Sequence, residues 1–105
     1  MTDPEPRVQA TRYTVNCMPP DSCPDAHAWA LHVELGRDGY WSITNGHQYL
    51  DTCGIWHDTR WGAGPLTLGN ALAIAEATAP HMSVNGFTPD TALERIARLQ
   101  AEPAE

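Results

Sequence analysis

Two pairs of side chains able to bind metal share one spacing. Cys23-Pro-Asp-Ala-His27 and Cys53-Gly-Ile-Trp-His57 both read Cys-x3-His. Together they would offer zinc two thiolates and two imidazoles, the donor set of a closed tetrahedral structural site. Metal binding of that kind adds folding free energy to a small domain. The more specific zinc spacings, Cys-x2-Cys and His-x3-His, are absent. Cys23, His27, Cys53 and His57 would also have to meet at one end of a sheet. The competing reading, which we prefer, makes Cys17 and Cys53 small core fillers and Cys23 a loop thiol. Three cysteines are an odd number, which suits reduced thiols rather than a disulfide framework.

Nucleophilic catalysis is a second chemistry to test. Cys53 with His57, or with His47 across a hairpin, could form a thiolate–imidazolium pair. Nothing in the sequence marks an orienting third group or an oxyanion hole, so no catalytic residue is assigned. Asp51, Asp58 and Glu34 are read as turn-forming or solvated carboxylates. Gly62-Ala-Gly-Pro65 precedes a helix, but its proline lacks an N–H where a phosphate cradle needs one. Trp29 and Trp41 fall on apolar strand faces, whereas Trp56 and Trp61, beside Arg60, are harder to bury. An exposed aromatic and arginine cluster has the composition of a protein-interface hot spot, so Trp56, Arg60 and Trp61 are the candidate interface.

The elements that position these residues follow from periodicity. Tyr13, Val15 and Cys17 alternate with polar neighbours as a strand does, and the proline-rich run 19–25 breaks it. Trp29, Leu31, Val33 and Leu35 then line one face of a second strand. A Gly36–Gly39 hairpin leads to a strand over 40–44. Asn45-Gly46 predicts a two-residue type I′ turn that sets Thr44 opposite His47 and Trp41 opposite Leu50. Residues 51–54 form another turn, and 55–57 a last short strand. Residues 58–65 read as a loop. Thr67 caps a helix over 68–79 with Leu68, Ala71, Leu72, Ala75 and Ala79 inward. Asn85-Gly86 is a turn, and Thr88-Pro89-Asp90 opens a second helix with Ala92, Leu93, Ile96, Ala97 and Leu99 or Gln100 facing the core. Strands first and helices last give an α+β fold: an antiparallel meander of four to five strands, with two C-terminal helices on one face.

Composition bounds the function. The 105 residues suit one domain over 11–100, with flexible segments at 1–10 and 101–105. Of the net charge of −7, the body from Val8 to Ala101 carries nine acids against five arginines, or −4. That is the wrong sign for nucleic-acid binding. No apolar run is long enough for a membrane span, and the acidic start is not a signal peptide, so a cytoplasmic protein is expected, or one in a host cytoplasm or virion. All six basic residues are Arg, a bias of GC-rich coding. The segments RYTVNCMP, HVELGRDGYWSI and APHMSVNGFTPDTAL resemble small proteins of actinobacteria and their phages. That resemblance implies one undivided domain and brings no activity with it. The expectation is a non-enzymatic accessory protein acting by protein–protein contact, without a cofactor. An exposed edge strand would also allow a homodimer by strand addition. The alternatives are a zinc-stabilised binding domain and a cysteine-dependent enzyme.

Overall fold

A run of alternating residues with one apolar face has to cover that face, and here a single helix does most of the covering. The computed structural model describes residues 8–101, so of the expected terminal segments 1–10 and 101–105, residues 1–7 and 102–105 lie outside the described residues. Five strands, β1 (Arg12–Val15), β2 (Leu31–Leu35), β3 (Trp41–Thr44), β4 (Tyr49–Leu50) and β5 (Trp56–His57), form one antiparallel sheet in sequence order. Three helices follow: α1 (Arg60–Ala63), α2 (Leu68–Thr78) and α3 (Pro89–Ala101). The fold is the expected α+β meander with C-terminal helices.

Register assigns the two faces. Val33 opposes Ile43, Leu35 opposes Trp41, and Leu50 opposes Trp56, so these side chains share one face. Leu31, Val33, Ile43 and Leu50 are fully buried there, against Ala71, Ala75 and Ala79 of the α2 side. Burying each aliphatic side chain contributes ~1.5–3 kcal/mol. The alanines let α2 approach the sheet closely. Thr67 caps it, its hydroxyl accepting from the Asn70 N–H. The opposite face carries Arg12, Thr14, His32, Glu34, Tyr49 and His57 by the same register.

Several local expectations need correction. Trp29 is not on β2. Ala26–Trp29 is a 3-10 turn that follows Pro24, and Trp29 buries its indole in a second cluster with Met18, Ala26 and Ala92. Its Nε1 donates to the Phe87 carbonyl at 2.9 Å. The Asn45-Gly46 loop is wider than expected, with Thr44 opposite Tyr49. The Asn45 side chain accepts from the His47 and Gln48 N–H groups, and the Thr44 hydroxyl donates to the Gln48 carbonyl. Those bonds stabilise a four-residue loop. The slip is by two residues, so Trp41 and Leu50 keep their shared face. Along α3, Ala92 is buried and Leu93 and Ile96 are half-buried, but Ala97, Leu99 and Gln100 are exposed. The last turns of α3 extend past the cluster that its first turns fill.

Candidate functional site

Residues 58–65, expected to be a loop, carry the chain with Leu66 from the polar face of the sheet to its apolar face. The strap is held at three points. At its start, Thr59 caps the one-turn helix α1, its hydroxyl accepting from the Gly62 N–H at 3.0 Å. Beneath it, His57 Nε2 lies 2.6 Å from an Asp51 carboxylate oxygen, and a Cβ at Gly62 would sit 3.1 Å from His57 Nδ1. At its end, Leu66 exchanges both backbone hydrogen bonds with Trp41, taking the place beside β3 that β4 has vacated.

Arg60 ties the strap to the distant β2–β3 hairpin. Its guanidinium donates to both Asp38 carboxylate oxygens, at 3.0 and 3.2 Å, and to the Tyr40 carbonyl at 3.0 Å. The fork geometry matches a carboxylate, which a lysine could not reproduce. The Arg60 hydrogen bond, then the Tyr40 N–H, hold the Asp38 carboxyl below its usual range, and Asp38 in turn raises Arg60. Gly36 lies directly under the guanidinium, where a Cβ would collide with it.

With its neighbours fixed in this way, Trp61 has nowhere to go but outward. It is 92% exposed, and Tyr40 is 48% exposed. Asp38, Tyr40, Arg60, Trp61, Gly64 and Pro65 line a cleft of about 310 Å³. Thus Arg60 and Trp61 of the expected interface come together. Trp56 does not join them, because β5 turns its side chain onto the sheet core, where it is half-buried. Asp38, Tyr40 and Pro65 join them in the cleft without a mark in the sequence pattern. The signal that could have found Asp38 is its place two residues before Tyr40 in a glycine-bounded hairpin.

The expected zinc ligands are placed apart. Cys23 and His27 lie in the β1–β2 connection, whereas Cys53 is in the β4–β5 turn, at the other end and the other edge of the sheet. Among the described residues no three His, Cys, Asp or Glu side chains gather as a metal site. The core-filler reading is also corrected. Cys17 and Cys53 are exposed, while Cys23 is half-buried against the second cluster.

Nor does the geometry assemble the alternative cysteine–histidine pair of Cys53 with His57. The ring of His57 is engaged by Asp51 on one side and packed on Gly62 on the other. Asp51 is lowered by His57 first and then by the Ile55 and Cys53 N–H groups, so it acts as a clasp for the β4–β5 turn. A separate cleft of about 450 Å³ brings Cys17 near His81 and Asp90. There the Asp90 carboxylate is spent on the Thr88 hydroxyl and the Thr91 N–H at the start of α3, which lower its pKa. Among the described residues no hydrogen bond joins Cys17 to His81. On the polar sheet face His32 is lowered chiefly by burial, and Thr14 Oγ1 lies 3.3 Å from its Nδ1. No described helix is long and apolar enough to cross a membrane.

In comparisons with known proteins, no family model, curated protein or solved structure matches this chain. The resemblance to small actinobacterial and phage proteins therefore rests on the quoted segments alone.

Proposed function

We propose that this chain is a non-enzymatic accessory protein that works by binding another protein through the surface around Trp61. The observation that carries the reading is an indole left 92% exposed on a segment held at both ends. A buried tryptophan gains free energy from leaving water, and an exposed one on a loose loop loses entropy when it docks. Trp61 avoids that second cost, because α1 and the Arg60–Asp38 fork already fix its backbone. Tryptophan, tyrosine and arginine are the residues that dominate interface energetics.

The test compares capture by the tagged protein, its Trp61→Ala variant and a Leu99→Ala control, using extract of the source cells. Leu99 is also exposed, at 58%, but lies on α3. A protein retained by the wild type and by Leu99→Ala but lost with Trp61→Ala is the expected result. Equal retention by all three would remove the surface from the account.

A further inference from the structure

The cleft beside Trp61 restricts the chemistry of its occupant. Its one ion pair is closed internally: both Asp38 oxygens are held by Arg60, which also donates to the Tyr40 carbonyl. The lining thus offers no uncompensated charge. A charged side chain entering it would lose water without gaining a counter-ion, which is costly. Charge complementarity selects an uncharged occupant. The rest of the lining is Tyr40, Trp61, Gly64 and Pro65. At about 310 Å³ the cleft is at the small end of ligand sites (~300–1,000 Å³) and suits a few residues of a peptide.

The hydrogen-bonding groups narrow it further. Among the described residues neither the Tyr40 hydroxyl nor the Trp61 indole N–H has a protein partner, in contrast to the Trp29 indole, which is satisfied by Phe87. Both residues are exposed to water, and the ligand that complements these two donors is one whose carbonyls are free to accept. A helix or paired strand has spent its carbonyls, whereas a polyproline II segment has no internal hydrogen bonds. Its rings are apolar and uncharged, and its fixed φ lowers the entropy lost on binding.

We propose that the Tyr40–Trp61–Pro65 cleft binds an uncharged, proline-rich segment of a partner protein in the polyproline II conformation. This rests on the reading of Trp61 as a contact residue. The probes are a ten-residue proline peptide and a ten-residue Gly-Ser peptide, each titrated into the full chain labelled with 15N. The Trp61 indole resonance, assigned through Trp61→Phe, and the amides around residues 38–40 and 60–66 report binding. Saturable shifts confined to these positions with the proline peptide, absent with the Gly-Ser peptide, are expected. Trp61→Ala weakens binding at least tenfold and Tyr40→Phe several-fold, each with a dispersed spectrum that shows the variant folded. No saturable shift at millimolar proline peptide overturns the proposal, as do equal shifts with both peptides or shifts centred elsewhere. Concentration-dependent shifts without peptide would show a second copy in the cleft and would also overturn it. A cellular partner lost with Trp61→Ala, together with no response to the proline peptide, would sink this inference and leave the contact surface standing.

Discussion

Gly36 and Gly39 stand at the two ends of one hairpin and are required for different reasons. Gly39 has φ +84°, a conformation side chains other than glycine rarely take. Gly36 lacks positive φ, but the Arg60 guanidinium crosses the space its Cβ would fill. Because the obstacle is the end of a flexible side chain, Gly36→Ala should displace Arg60 from Asp38 while leaving the unfolding midpoint almost unchanged. The measurable consequence is several-fold weaker partner binding at equal thermal stability, checked by titration and a melting curve. Equal affinity in that variant would show that the Arg60 fork does not position Trp61. Asp51 allows a pH prediction at the same scale. Its folded pKa lies below the ordinary carboxylate value, so its contribution is present above the unfolded pKa. It is lost as pH falls through the folded pKa. Asp51→Asn should lower stability at neutral pH and flatten that acid limb, measured as denaturation midpoints across an acid series. An unchanged acid limb would assign the loss to other carboxylates.

At the scale of elements, two Asn-Gly pairs take different turns. Asn85-Gly86 adopts positive φ at both residues, with reciprocal backbone bonds between Val84 and Phe87, as a type I′ turn requires. Asn45-Gly46 has positive φ only at the glycine, because the Asn45 side chain accepts from the His47 and Gln48 amides. Propensity was legible at both sites; the side-chain bonds that decided between turns were not. The same limit applies to the strap. Thr59 is a good cap, but a one-turn helix has too few residues to display a period, and its anchors on Asp38 and Trp41 are remote in sequence. By contrast β2, β3 and α2 were legible, since alternation of apolar residues and the alanine stripe mark the faces that form the larger cluster. Of the site, Arg60 and Trp61 could be read from composition, whereas Trp56 needed the register to place it in the core. Gly86→Ala tests the turn: open space surrounds it at φ +83°, so the cost is conformational, about 1–2 kcal/mol. A chemical-denaturation curve showing no loss would contradict the turn assignment.

Across the whole molecule, two apolar clusters share the chain. The larger lies between the sheet and α2, and the smaller joins Met18, Ala26 and Trp29 to the first turns of α3. Met82 packs against both and connects them. Leu50 is fully buried in the larger cluster, so Leu50→Ala should cost ~2–5 kcal/mol by denaturant titration. Trp61, in contrast, belongs to neither cluster. That separation between what holds the fold together and what faces outward is the central claim. Its most direct test measures Trp61→Ala twice, as an unfolding midpoint and as affinity for the partner protein captured by the wild type. The account predicts an unchanged midpoint with at least tenfold weaker binding. Unchanged affinity, or a midpoint that falls as it does for Leu50→Ala, would contradict it.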